Sequence, residues 1–195
     1  MKTSRWNRYD TKTGLWIQSS KPIFTFWYKF LQIATKEKRD IQWDSYLDWG
    51  DAELIKETKF DAWWKDNWKD LFGYKLGNTE PKYPLSQKKP QLDGIKYSLL
   101  VYELKKEKPN EDYWNLAKEI AAKEYPRRRD KGRRDPNFKP EYWSFNIARP
   151  VITRELIRKD RREFAKHKRV LSSRMGRYFK SAETHLENVC VGKFP

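Results

Sequence analysis

The sequence predicts an all-α protein of two lobes: an aromatic-rich helical lobe at the N-terminus and a basic helical lobe at the C-terminus. Three observations lead there. Apolar residues recur at three- and four-residue spacing along most of the chain. Eight of the ten tryptophans lie in residues 1–68, so large rings can build a core although only 37% of residues are hydrophobic. Pro, Gly and Asn cluster in residues 73–93 and mark a linker. The lobes so drawn are 1–75 and 92–195, with 76–91 between them.

Residues 5–17 are compatible with a short N-terminal hairpin, because Arg5–Tyr9 and Leu15–Ile17 flank the turn-rich Asp10-Thr-Lys-Thr-Gly14. A first helix is expected from about Ser20, capped by Ser19 or Ser20, with Pro22 in its first turn. Phe24, Trp27, Tyr28, Leu31 and Ala34 share one face, and Phe26 and Phe30 widen it. A second helix is expected over Asp40–Trp49, with Ile41, Tyr46 and Leu47 inward and Gly50 as its end. A third runs from Thr58 to Phe72. Thr58 and Asp61 resemble a capping box, and Gly73 closes the helix. Its stripe is Phe60, Trp63, Trp64, Trp68 and Leu71. Asp61, Asp66 and Asp70 read as a solvated outer face.

The second lobe opens with Ile95–Leu104, read as helix because its apolar residues fall at helical spacing. Pro109-Asn110 breaks the chain, and Asn110 is the expected cap of a helix over 111–125 that Pro126 stops. A helix, a tight break and a second helix give helix-turn-helix spacing. Arg127-Arg-Arg-Asp-Lys-Gly-Arg-Arg134 is then a basic loop, followed by Pro and Asn breakers. Helices are expected over 150–167 and 168–189, continuous or bent near His167. In the last, Leu171, Met175, Tyr178 or Phe179, Ala182, Leu186 and Val189 form an apolar stripe. Gly176 brings backbone close to any partner.

Charge is segregated along this frame. Residues 126–180 hold 19 Lys and Arg against 6 acids, out of a net charge of +16 for the chain. Residues 37–72 hold 10 acids against 6 bases. Only Arg5, Arg8 and Arg39 precede residue 109, whereas thirteen arginines follow it. Arginine forks grip phosphate oxygens and guanine edges with two bonds, which lysine cannot do. An Arg-rich half on a packed body is the footprint of a polyanion-binding surface, with nucleic acid as the first candidate.

Little in the sequence suggests catalysis. His167 and His185 lie on polar or mixed helix faces, without an acid at metal-ligand spacing, and read as surface or satisfied side chains. There is no glycine-rich phosphate loop, nucleophile elbow or paired-cysteine motif. The single cysteine, Cys190, allows no internal disulfide and reads as a small hydrophobe. No cofactor or metal is implied. No apolar run spans a membrane and the N-terminus lacks a signal-like stretch, so a reducing cytoplasm is the expected location. Scattered carboxylates keep a metal-dependent nuclease open.

The candidate nucleic-acid contacts fall in three groups. Arg127, Arg128, Arg129, Arg133 and Arg134 form the loop. Arg154, Arg158, Arg161 and Arg162 form one helical face, for which salt-bridge decoration by Glu155, Asp160 and Glu163 is the bland alternative. Arg169, Ser173, Arg177 and Lys180 lie opposite the apolar stripe of the last helix, with Ser172 and Arg174 beside them. A helix whose back packs and whose front is basic suits a major groove.

Phe26-Trp-Tyr-Lys-Phe-Leu31 and the Trp43–Trp49 region resemble the N-terminal pattern of regulators carried by integrative and conjugative elements. Ser98-Leu-Leu-Val-Tyr-Glu-Leu104, Tyr113-Trp-Asn-Leu-Ala-Lys-Glu-Ile120 and the arginine-rich Arg169–Lys180 are similar to the helices of their helix-turn-helix-like domain. The resemblance implies a non-enzymatic protein of a phage or mobile element that binds double-stranded DNA and regulates transcription, associated with the nucleoid. Two alternatives stay open: an RNA- or ribonucleoprotein-binding or anti-defence protein, and an adaptor docking a protein partner through the Trp-rich lobe.

Overall fold

A computed structural model describes residues 8–19, 21–75, 81–87, 90–124 and 161–195. The chain is mostly helical, with six α-helices and one three-stranded antiparallel sheet among the described residues. It divides into two compact units. One comprises residues 1–96 and 182–195, the other residues 97–181. This differs from the division read from the sequence, which kept the last fourteen residues with the basic half. Leu186, Val189 and Phe194 are fully buried, and Phe194 stacks on Trp27 and meets Phe30, which assigns those residues to the aromatic core.

In the first unit, β1 (Arg8–Asp10) pairs with β2 (Leu15–Ile17), and β2 pairs with β3 (Gly73–Tyr74). The hairpin expected over 5–17 is therefore present for its described part; Arg5–Asn7 lie outside the described residues. Asp10 builds its turn. One carboxylate oxygen accepts from the Lys12 amide at 3.0 Å and the other from the Thr13 hydroxyl at 3.0 Å. Gly14 then adopts φ 71°, a left-handed conformation open to glycine at no steric cost.

The first helix, α1 (Lys21–Lys36), starts where the sequence places it; Ser20 lies outside the described residues. Ile23, Phe24, Trp27, Tyr28, Phe30, Leu31 and Ala34 are buried, so it is covered on most of its circumference. Over 40–49 the structure departs from the expected α-helix. Trp43–Tyr46 forms a 3-10 turn instead. The Gln42 amide at its start donates to the Cys190 carbonyl at 2.8 Å, which ties this backbone to the end of the last helix, while the Ser45 amide donates back to the Gln42 carbonyl at 2.9 Å in the tighter three-residue pattern. Leu47, expected inward, is 75% exposed.

Helix α2 (Ala52–Glu57) has no counterpart in the sequence reading. It is a turn and a half, too short for periodicity to register. Its signal is Asp51, whose carboxylate caps the Leu54 amide at 2.8 Å. Gln32 of α1 donates to the Ile55 and Thr58 carbonyls at its far end.

Helix α3 (Phe60–Phe72) starts two residues later than expected. The Thr58–Asp61 capping box does not form: Lys59 is the cap residue and contributes no side-chain bond. Asp61, Asp66 and Asp70 are exposed, as an outer face requires. Gly73 does end the helix, but with an extended backbone that enters β3. A side chain there would lie 2.5 Å from the Lys69 carbonyl oxygen and 2.9 Å from Leu15, so only glycine lets β2 approach the end of α3.

The core of this unit is a continuous set of rings. Trp49 lies between Trp27 (5.3 Å) and Trp63 (4.7 Å), and Phe72 joins Phe24 (4.4 Å) to Trp64 (5.5 Å). The described part of the linker stretch, 81–87, packs on it. Tyr83 meets Trp49 at 5.5 Å, and its hydroxyl donates to Asp48, which also pairs with Lys82.

The second unit is built from α5 (Tyr113–Glu124), from α4 (Leu92–Glu107) beyond residue 96, and from α6 (Arg161–Cys190) up to residue 181. Its core is Tyr97, Val101, Leu104, Trp114, Leu116, Ala117, Ile120, Ala121, Leu171 and Met175. The helix reading of 95–104 holds, and so does that of the segment after the break. The cap differs from expectation. Asp112, not Asn110, accepts from the Asn115 amide at 2.8 Å, because the chain makes one more turn before the helix begins. Lys105 closes that turn by donating to the Pro109 and Glu111 carbonyls, each at 2.7 Å. Helix α6 passes through His167 without a break. Pro126, the 127–134 loop, the breakers after it and the 150–160 part of the expected helix lie outside the described residues.

Candidate nucleic-acid interface

The candidate interface is built on α6. Within the second unit its inner row is Leu171 and Met175, both buried, flanked by half-buried Phe164, Tyr178 and Phe179. Tyr178 meets Tyr97 at 5.7 Å, Phe179 stacks on Tyr102 at 5.4 Å, and Phe164 meets Trp114 edge-on at 5.7 Å. These contacts fix the rotation of the helix about its axis. What faces outward is then determined by sequence.

The outward row is Arg162, Lys166, Arg169, Ser173, Arg177 and Lys180, all exposed. Their steps of four, three, four, four and three keep them on one face. At 1.5 Å per residue the row runs about 27 Å. Arg161 and Lys168 are exposed on its flanks and Arg174 is half-buried. Over 161–181 the sequence carries eight basic residues and one acid. No ion pair engages Arg169, Arg174 or Arg177 among the described residues. By contrast, on α5 Glu119 pairs with both Lys108 (2.6 Å) and Lys123 (2.8 Å), and those two cations hold its carboxyl below the usual range.

Of the residues singled out from sequence, Arg162, Arg169, Ser173, Arg177 and Lys180 come together in this row, with Arg161 and Arg174 at its edges. Arg127, Arg128, Arg129, Arg133, Arg134, Arg154 and Arg158 lie outside the described residues, as do Glu155 and Asp160. Two residues were missed. Lys166 belongs to the row, and its signal was available: it is four after Arg162 and three before Arg169. Lys168 lies 5.9 Å over the Trp114 ring, which a second cation, Lys118 of α5, also approaches, at 5.8 Å. Gly176 does not offer its backbone outward. It is half-buried and turned toward Tyr113 of α5, from whose ring a Cβ there would lie 3.6 Å away, an ordinary contact.

The histidines sit apart from this row. His185 is buried, not on a polar face, and lies against Phe30 (5.3 Å) and Phe194 (5.5 Å). Burial pushes its pKa down to about 4, so it is neutral at neutral pH. His167 is half-buried and edge-on to Trp114. The Cys190 thiol is half-buried, and burial raises its pKa. Among the described residues no three His, Cys, Asp or Glu side chains are grouped as a metal site needs. No helix among them is long and apolar enough to cross a membrane.

No family model matches the chain, and neither a curated protein nor a solved structure matches it.

Proposed function

We propose that this protein binds double-stranded DNA through the outward row of α6 and regulates transcription for a phage or mobile element. The observation that carries the reading is the row itself: exposed cations on one face of a helix whose opposite face is locked into a core. Such a helix presents arginine forks at fixed angles, which base reading requires. The row runs about 27 Å, against a major groove about 12 Å wide. Its middle, Arg169 to Arg177, then meets base edges, and its ends, Arg162 and Lys180, meet phosphates.

Helices α4 and α5, joined by the Lys105-braced turn, form a helix-turn-helix-like pair that supports α6 from behind. The sequence resemblance to regulators of integrative and conjugative elements supports the same reading, in which the protein acts at the nucleoid without an enzymatic activity. The basic 127–134 loop adds backbone contacts in this reading. An adaptor role for the Trp-rich half gains less support, because Trp27, Trp49, Trp63 and Trp64 are buried and serve the core.

The test is a mobility shift with duplex DNA, single-stranded DNA and structured RNA side by side, repeated with Arg162→Gln, Arg169→Gln and Arg177→Gln combined. Duplex affinity is expected to fall about 10³-fold or more between 50 and 200 mM salt, if roughly six phosphates are contacted. The triple variant is expected to lose most of it. A flat salt response, or a triple variant that binds like the unaltered protein, overturns the proposal. Preference for structured RNA moves the reading to the RNA-binding alternative.

A further inference from the structure

The small sheet carries a second surface, made of none of the α6 residues. Tyr9 pairs in register with Trp16, and Trp16 pairs in register with Tyr74. Residues directly opposite in a sheet share a face, so three aromatic side chains cross all three strands in one row. The strands are spaced about 4.8 Å apart. The Tyr9 and Trp16 rings are 5.2 Å apart and inclined at 44°. Tyr9 is 52% exposed, and Trp16 and Tyr74 are half-buried.

The side of the row follows from Leu15. Leu15 approaches Gly73, where α3 ends. Side chains alternate along a strand, so Trp16 and its row lie on the face turned away from that helix end.

Cations line the edges of the sheet. Lys12 lies in the β1–β2 turn, and Arg8 and Lys75, each next to a row residue on an edge strand, start from the opposite face. All three are exposed, and none has an ion-pair partner among the described residues. The one acid in these segments, Asp10, spends both carboxylate oxygens inside its own turn.

We infer that the Tyr9–Trp16–Tyr74 row is a stacking platform for unpaired bases of single-stranded nucleic acid, with Lys12 in the turn, and Arg8 and Lys75 reaching round the two sheet edges, taking the phosphates. Every base has a π face, so a ring row accepts any sequence, and flanking cations supply the backbone term. A duplex hides those faces inside its own stack and does not fit the platform. A protein with both surfaces would hold a duplex on α6 and an unpaired strand on the sheet.

Fluorescence anisotropy of the full chain with labelled oligothymidylate and oligouridylate of about 12 nucleotides tests it. The variants are Tyr9→Leu and Trp16→Leu, which remove the π face, and Tyr9→Phe and Trp16→Phe, which keep it. Each Leu variant is expected to weaken single-strand binding by about 5- to 150-fold. The Phe variants are expected to bind like the unaltered protein, and duplex binding is expected to stay unchanged in all four. A preference between the two oligomers assigns the natural strand to DNA or RNA within the same reading. Tyr9 is exposed enough that its Leu variant keeps the fold, which a thermal melt verifies, so it decides the matter even if Trp16→Leu unfolds. The inference is overturned if the Leu variants bind single strands normally, if they weaken duplex and single strand equally, or if the row binds a neutral glucan and ignores both oligomers. The α6 triple variant separates the two surfaces. Loss of duplex binding with single-strand binding kept leaves the platform standing whatever becomes of the α6 proposal.

Discussion

The Tyr46 hydroxyl donates to the Val189 carbonyl at 2.7 Å across 143 positions of sequence. The same oxygen accepts from the Trp27 indole N–H at 3.1 Å. All three groups are buried, and burial holds the phenol neutral by raising its pKa. One side chain from a 3-10 turn thus joins α1 to the last turn of α6, and this bond is one reason why residues 182–195 belong to the first unit.

Tyr46→Phe removes both bonds and leaves the Trp27 N–H without a partner in a dry core, whereas the Val189 carbonyl keeps the Gly192 amide at 3.2 Å. The orphaned donor costs about 1–3 kcal/mol. Urea titration of the variant is expected to show a midpoint lowered by a loss in that range. An unchanged midpoint means that the Trp27 N–H does not depend on Tyr46.

Trp64→Ala is expected to cost about 3–5 kcal/mol. The ring is 8% exposed and packs on Phe24, Phe60, Phe72 and Trp68. A thermal melt reads the loss directly. If the variant keeps its melting temperature and instead loses a protein partner, the ring belongs to an interface and the adaptor reading gains.

His185 makes stability depend on pH. Its folded pKa, about 4, lies below the ordinary value of 6.5. Between these values the unfolded chain binds more protons than the folded one, so stability rises with pH across that window and falls on acidification. The contribution lost is on the order of 3 kcal/mol. Carboxylates such as Asp48 and Glu119, held low by their lysine partners, add to the same trend. His185→Phe removes only the histidine part. Chemical denaturation of both proteins from pH 7 to 4 is expected to show a shallower fall for the variant, and parallel curves would remove the histidine from the account.

The parts of the fold legible in sequence are those where one helix carries enough residues for its period to speak. Helices α1 and α3 and the stripe Leu171 to Val189 on α6 were readable for that reason, and the cationic row follows from the stripe because fixing one face of a helix fixes the other. The failures share a cause as well. The 3-10 turn at Trp43–Tyr46, the burial of His185 and the grouping of 182–195 depend on partners more than a hundred residues away, such as Val189 for Tyr46 and Phe30 for His185. Helix α2 and strand β3 are six and two residues long, too short for any pattern. Leu47 was placed inward by period alone, where no helix exists to impose it.

The last prediction divides roles along α6. Arg177 closes the Arg169–Arg177 stretch of the outward row, rotationally fixed by Met175 and Tyr178 on either side of it in sequence. If the middle reads bases, Arg177→Ala costs about 1–3 kcal/mol on a cognate site and much less on random DNA. Lys166 is a point charge suited to phosphate, so Lys166→Ala is expected to weaken all duplexes alike and to lower the salt slope by about 1. Replacing Arg127, Arg128 and Arg129 together is expected to act like Lys166→Ala with a larger drop in slope, because a glycine-containing basic stretch suits backbone contacts better than base edges. Affinities on cognate and random duplexes over a salt series measure all three. Should Arg177→Ala weaken both duplexes equally while the triple replacement changes sequence preference, recognition belongs to 127–134 and α6 is the backbone clamp.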